Sequence, residues 1–279
     1  MSRFMNIYRF ELRRAFKTPG FYLSLFIGCI IVIADWVNYG LQYALHLDEW
    51  MNDYSAYAML YPDNVYESWI GTSDSKYAAF FFLIMPLLVV LPFAASFYKD
   101  NKNNFINYIC TRVRKKDYLR AKFVSTFISG GMVVIIPLVL NFILCASVLP
   151  CILPQPADGM CHVEPKTSMS SLYFLHPELF CIISVLLIFI FAGVLAVTAL
   201  YVAFYAKRIY TVLLFPFVLC LVIMSGADLL EAYVWQPMNV VNPVYDGPRI
   251  PSLMVEIIIL IVIAFWEFLY RGKKQDILS

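Results

Sequence analysis

Three polar side chains interrupt the first apolar segment of the sequence. Asp35, Asn38 and Gln42 are three and four residues apart, so on a continuous α-helix they share one face. A carboxylate inside a bilayer costs about 2.5–3.5 kcal/mol at mid-depth on insertion scales, and it therefore usually faces protein or water. The spacing is compatible with the lining of a translocation path or its outer gate. It is equally compatible with a span that ends near Trp36 and leaves all three residues at the membrane interface.

The other reactive residue types form no recognisable catalytic or cofactor-binding pattern. The sequence contains neither a G-x-x-x-x-G-K-[ST] phosphate-binding loop nor an H-E-x-x-H zinc pair. Glu267 and Arg271 look like part of the Glu-Glu-x-x-x-Arg motif of CAAX-type membrane proteases, but Trp266 replaces the first Glu. An acid and a base at the end of an apolar segment are more simply an interfacial pair whose charged heads reach water. We therefore expect no enzyme activity, metal or cofactor in this chain.

The composition indicates an integral membrane protein. Of the 279 residues, 61% are hydrophobic and 14% are charged, against roughly 45–50% and about 25% in typical soluble domains. A soluble globule of this size needs a polar shell that this chain cannot supply. The formal net charge of +2 provides no global basic field, so the chain is not expected to bind nucleic acid.

Six apolar segments are long enough, or nearly so, to cross a hydrocarbon core, which needs about 20 helical residues. The sequence thus predicts an all-α, polytopic membrane protein forming a single transmembrane domain over residues 1–279. The predicted spans are residues 21–45, 77–97, 123–149, 179–206, 209–227 and 253–270.

The distribution of basic residues predicts that both termini are cytoplasmic. All of the 21 Lys and Arg residues except Lys76, Lys166 and Arg249 fall in the N-terminal arm, in alternate loops or in the C-terminal tail. Loops rich in Lys and Arg remain on the cytoplasmic side of a membrane. Six spans with both termini inside are consistent with this alternation.

The N-terminal arm, residues 1–20, has the pattern of an amphipathic helix that lies in the membrane interface. Arg9, Arg13 and Lys17 fall opposite an apolar stripe, and Thr18-Pro19-Gly20 then breaks the helix. The alternative is that these basic residues merely flank the first span. The apolar stripe consists of Phe4, Ile7, Tyr8, Leu12, Ala15 and Phe16.

The loop after the second predicted span, residues 98–122, contains a short amphipathic helix by its periodicity. Phe105, Ile106, Ile109 and Val113 share one face of that helix. This face could rest on the membrane, or it could dock into a groove of a partner protein. Periodicity alone leaves both alternatives open.

The layout resembles that of the permease subunits of ABC-2 type ATP-binding-cassette transporters. The resemblance rests on the basic arm that ends in Pro-Gly, the six spans, and the pattern of Thr111-Arg112 and 118–122 (YLRAK) after the second span. It implies that residues 1–20 are a connecting helix and that residues 98–122 hold a coupling helix that contacts a cytoplasmic P-loop ATPase. By the same resemblance, Phe105, Asn107, Ile109 and Arg112 meet the ATPase. It also implies pairing with a second permease copy or homologue.

These inferences lead to one functional expectation and one rival. We expect a permease subunit of an exporter in a bacterial plasma membrane, surrounded by lipid and driven by a separate ATPase. The rival is a membrane sensor or immunity component that binds a peptide or lipid without transporting it. Substrate binding in the absence of any ATPase partner would favour the rival.

Overall fold

The computed structural model describes residues 2–46, 64–103, 105–154, 163, 169–231, 254–255, 257–260 and 262. Secondary structure in the described part is entirely helical, as the apolar segments predict. The helices are α1 Ser2–Phe16, α2 Pro19–Asn38, α3 Gly40–Leu45, α4 Val65–Ser68, α5 Lys76–Leu88, α6 Ala94–Lys102, α7 Phe105–Cys110, α8 Lys115–Ala146, α9 Ser170–Leu175, α10 Pro177–Val202 and α11 Ile209–Leu229.

Four helical segments are long and apolar enough to cross a membrane. They are Pro19–Leu45, which joins α2 and α3, and the single helices α8, α10 and α11. They correspond to the first, third, fourth and fifth predicted spans, although α8 begins at Lys115, earlier than the predicted start at residue 123. The sixth predicted span lies largely outside the described residues, and those of its residues that are described are helical.

The second predicted span, residues 77–97, is divided into two helices. α5 has 13 residues, which at 1.5 Å per residue span about 20 Å, less than the hydrocarbon core of about 30 Å. Residues 89–93 form a turn, and α6 begins at Ala94. Among the described residues, four of the six predicted spans are full-length helical segments, and the second predicted span is divided into two helices.

The turn at 89–93 packs against the turn between α1 and α2. The Thr18 hydroxyl donates to the carbonyl oxygen of Pro92 at 2.7 Å, and so satisfies a backbone group that the helix break leaves free. A Cβ added to Gly20 would collide with the carbonyl group of Leu91. The Thr18-Pro19-Gly20 break predicted from sequence thus also provides the space that the second turn needs.

Helix α8 lies at the centre of the fold and packs against α1, α2 and α10. Its contact with α10 depends on small residues, because a Cβ at Gly130 would overlap Ala196 and one at Gly193 would overlap the ring of Phe127. Close backbone approach through glycine is characteristic of helix pairs in membranes. Gly130 and Gly193 thus allow α8 and α10 to approach closely.

The outward faces of the long helices are apolar. On α11, for example, Tyr210, Leu214, Val218 and Val222 are all exposed. A contiguous surface of this kind is unfavourable in water and suits contact with lipid. The composition and this surface agree that the chain is a membrane protein.

Candidate functional site

A buried cluster of charged side chains joins the N-terminal arm to the start of the central helix. Glu11 and Arg14 come from α1, Asp100 from α6, and Tyr118 and Lys122 from the first two turns of α8. Glu11 and Lys122 are fully buried, and Asp100 is 2% exposed. Two acids and two bases balance the charge, so the cluster carries no net charge into the interior.

Asp100 accepts four hydrogen bonds, and both of its carboxylate oxygens take part. Its Oδ2 accepts from Arg14 Nη1 at 2.9 Å, from the Tyr118 hydroxyl at 2.8 Å and from Lys122 Nζ at 2.7 Å. Its Oδ1 accepts from Arg14 Nη2. The pair with Arg14 is therefore bidentate, a geometry that fixes the orientation of both planar groups.

The partners of the Lys122 ammonium group include two carboxylates and an aromatic ring. Nζ donates to Asp100 as above and to Glu11 Oε2 at 3.0 Å. It also lies 4.1 Å from the centroid of the Phe93 ring, a cation–π distance. Because a buried charge is tolerated only when it is paired and hydrogen-bonded, this coordination explains how a lysine can occupy the core.

The loop helix α7 joins the cluster through an aromatic ring. The Arg14 guanidinium lies 4.8 Å from the centroid of Phe105, the first residue of α7, and 5.9 Å from that of Phe93. Phe105, predicted to meet an ATPase, is half-buried and in contact with the arm of its own chain. The arm, the loop helix and the central helix are thus joined at one point.

The pKa of Asp100 reflects this environment. Burial raises the pKa of the carboxyl group, but the hydrogen bond from Arg14 and the charge of Lys122 outweigh burial and hold the pKa below its usual value. Asp100 is therefore ionised at neutral pH. Its negative charge is thus available to pair with Arg14 and Lys122.

The apolar face predicted for the loop after α6 packs inward. Ile106 is buried in the core, and Ile109 and Val113 pack against it. Asn107 is half-buried, whereas Arg112 is exposed. Of the four residues predicted to contact an ATPase, Arg112 is thus the one most accessible to a partner.

An exposed patch remains on the outer side of α7. Tyr108 is 76% exposed, and Thr111 and Arg112 follow it in the next turn of the chain. The Thr111 hydroxyl donates to the Tyr108 carbonyl oxygen at 2.8 Å and fixes the turn that ends the helix. The apolar periodicity of α7 predicted its inward face. It gave no indication of Tyr108, the most accessible large side chain of this helix.

At the other end of α2, Asp35 lies in a second polar group. It is 1% exposed. Its Oδ1 accepts from the Ser75 hydroxyl at 2.5 Å, and its Oδ2 accepts from the Asn141 amide at 3.3 Å. These contacts join α2, the residue that caps α5, and α8.

Asn38 and Gln42 do not share this environment. α2 ends at Asn38 and α3 begins at Gly40, so the face that a continuous helix would give to all three residues is interrupted at Tyr39. Asn38 is exposed and its amide donates to the Ala34 carbonyl oxygen at 2.7 Å, while Gln42 is also exposed. Of the three, only Asp35 lies within the protein interior.

Sequence reasoning did not identify Glu11, Arg14 and Asp100 as a unit. A signal was present, because Glu11 falls between the buried residues Ile7 and Ala15 at intervals of four, where an apolar residue would be expected. An acid on the apolar stripe of a basic helix indicates a buried partner. No group of three His, Cys, Asp or Glu side chains suited to a metal ion occurs among the residues that the structure describes.

No protein family, no curated protein and no solved structure was found to match this chain.

Proposed function

We propose that this chain is the membrane-spanning permease subunit of an ATP-binding-cassette exporter and that a separate P-loop ATPase acts on its loop helix. The observation that carries the proposal is the buried ion cluster, because it fastens α7 and the arm to α8. A force applied to α7 would therefore reach the central helix directly. The resemblance of the sequence layout to ABC-2 permeases supplies the kind of partner.

The accessible surface for such a partner is the Tyr108–Arg112 patch. Tyr108 and Arg112 are exposed, whereas the neighbouring apolar side chains pack within the chain. Tyrosine and arginine are enriched at the energetic centres of protein interfaces. The coupling roles of Phe105, Asn107 and Ile109 then consist chiefly of holding this patch against the body of the protein, with Arg112 making direct contact.

The proposed assembly has two permease copies, identical or related, and two ATPase subunits. ATP binding draws the ATPases together, and the loop helices move with them. Motion of α7 passes through the cluster to α8 and from α8 to α2 and α10. The path between the permease copies then opens to the opposite side, with Asn38 and Gln42 proposed to line its outer part.

Affinity purification from native membranes in mild detergent tests this function. A Tyr108→Ala, Arg112→Glu double variant changes only exposed side chains and should insert and fold normally. Arg208→Glu is the control, because Arg208 is an exposed base in the loop between α10 and α11. We expect a P-loop ATPase to copurify with wild type and with the control but not with the double variant.

Failure to recover an ATPase with well-folded wild type would remove the energy source and contradict the proposal. If equal amounts of ATPase copurify with wild type and with the double variant, the chain still has an ATPase partner. The Tyr108–Arg112 patch is then excluded as the surface that binds it.

A further inference from the structure

Asp35 is a buried acid without a cationic partner, in contrast to Asp100 in the same protein. Asp100 has hydrogen bonds from Arg14 and Lys122. In the part of the chain that the structure describes, Asp35 pairs with no cationic side chain, and its recorded donors are a hydroxyl and an amide. An ionised carboxylate with so little compensation in an apolar interior is strongly disfavoured, and such groups take up a proton instead.

The orientation of Asn141 is fixed by its surroundings and identifies what Asp35 can bind. Asn141 Oδ1 accepts from the backbone N–H of Ile70 at 2.9 Å. The amide nitrogen must therefore face the other way, where it donates to the Val32 carbonyl oxygen at 3.1 Å and to Asp35. An N–H group directed at the carboxyl group is incompatible with a metal cation at this position, since a cation requires oxygen lone pairs.

Ser75 supplies the second contact and is also fixed. Its Oγ accepts from the backbone N–H of Ala78 at 3.0 Å, as the N-cap of α5. Because a hydroxyl oxygen has a second lone pair and a hydrogen that can rotate, Oγ donates to an ionised Asp35 but accepts from a protonated one. The 2.5 Å separation between Ser75 Oγ and Asp35 Oδ1 allows a proton to be held between the two oxygens. The site fits one proton and leaves no oxygen cage for a larger ion.

We propose that Asp35 is a proton-binding site of the membrane domain, neutral in the conformation described here. The bound proton lies between α2 and the segment that precedes α5, and the Asn141 amide joins Asp35 to α8. Trp69 in that segment donates from its indole N–H to the Leu138 carbonyl oxygen at 3.0 Å, so the segment is attached to α8 at a second point. Loss of the proton would place a charge between these elements and weaken their packing. This inference does not depend on a transport function.

Other titratable groups on the neighbouring elements are few. Lys76 is exposed and lies 5.3 Å from the centroid of the Tyr77 ring. The thiol of Cys145 is buried on α8, with Sγ 3.8 Å from Asn141 Oδ1. The remaining titratable groups on α3, on α4 and in the turn before α5 are Tyr43, Tyr66, Glu67 and Asp74.

Infrared difference spectroscopy of the full chain in lipid vesicles tests the proposal. A protonated buried carboxyl group gives a C=O stretching band that an ionised group lacks. The difference spectrum between wild type and Asp35→Asn should contain this band at neutral pH, and the band should disappear on alkaline titration. A carboxylate band at neutral pH in its place would overturn the proposal.

If Asp35→Asn does not fold, a Ser75→Ala variant provides an independent test. The Ser75 hydroxyl donates to the ionised form, so its removal should move the midpoint of the band to higher pH. One hydrogen bond to a charged group corresponds to a shift of about one to two pH units. An unchanged midpoint would contradict the assignment. Addition of sodium at fixed pH should leave the band unchanged, and a loss of the band with sodium would show that a cation competes for the site.

Discussion

Lys122 and Glu11 are separated by 111 positions in the sequence, yet Lys122 Nζ donates to Glu11 Oε2 at 3.0 Å and both side chains are fully buried. This contact fastens the N-terminal arm to the first turns of the central helix. Asp100 and Arg14 complete the network and extend it to α6 and, through Phe105, to α7. An arm whose sequence predicts a basic interfacial helix is thus also a packed part of the protein core.

Replacement of Lys122 by Met should destabilise the protein strongly. The substitution preserves much of the side-chain volume but leaves Glu11 and Asp100 as buried acids with one cation between them. Breaking a buried ion pair in this way costs about 3–5 kcal/mol. Equilibrium unfolding in mixed micelles measures the change. Arg120→Met is the matched control, because Arg120 is exposed on the same helix. An equal loss of stability in the control would show that the buried ion pairs of Lys122 are not the cause.

The two ends of the Lys122–Glu11 contact should be energetically coupled. Glu11→Gln and Lys122→Met, made singly and together, form a double-mutant cycle. Either single substitution already breaks the Lys122–Glu11 contact, so the second one has no contact left to break. The double variant should therefore lose less free energy of unfolding than the two single variants lose together. Coupling between contacting residues is typically about 0.5–3 kcal/mol. Additive free energies of unfolding would show that the contact does not operate as described.

Acidification should weaken the cluster through Asp100. Its pKa is lower in the folded protein than in the unfolded chain. Asp100 therefore adds stability above its unfolded pKa of about 3.9, and this stability is lost as the pH falls through the lower folded pKa. Thermal unfolding of wild type should shift to lower temperature below about pH 4. Asp100→Asn should be less stable at neutral pH and should show a smaller acid shift; an equal acid shift would assign the effect to other carboxyl groups.

The α8–α10 interface should reject larger side chains. Gly130→Val places side-chain atoms where Ala196 lies, and overpacking of this kind costs about 1–3 kcal/mol. Gly226→Ala is the control, because no atom lies within 4 Å of the added Cβ. Unfolding midpoints of the two variants in the same detergent provide the comparison. A destabilisation of Gly226→Ala that equals that of Gly130→Val would argue against close packing at Gly130.

Periodicity and composition predict the helices well but not their breaks. The stripe that contains Ile7 and Ala15 predicts α1, and the apolar segments predict the four long spans. Pro86, although a helix breaker in general, lies inside α5, and the break falls at residues 89–93, where Thr18 and Gly20 accommodate the turn. Pro92 is a local signal within this break, but Pro86 gives the same signal inside a continuous helix. The position of the break therefore also depends on partners distant in sequence.

The candidate site was harder to predict than the fold for the same reason. The charges of Glu11, Asp100 and Lys122 are visible in the sequence, but their pairing depends on how α1, α6 and α8 pack. The apolar face of α7 was predicted correctly as a face, while the sequence could not tell that it packs within the same chain. That inward packing leaves Tyr108 as the accessible residue of α7.

Photo-crosslinking from position 108 tests whether a P-loop ATPase contacts α7. A benzophenone amino acid in place of Tyr108 reports what touches α7 in native membranes, and the same label in place of Val222, which is 63% exposed on α11, serves as the lipid-facing control. We expect position 108 to form a crosslink to a protein with a P-loop motif and position 222 to form none. Crosslinks from position 108 to lipid alone would contradict this expectation.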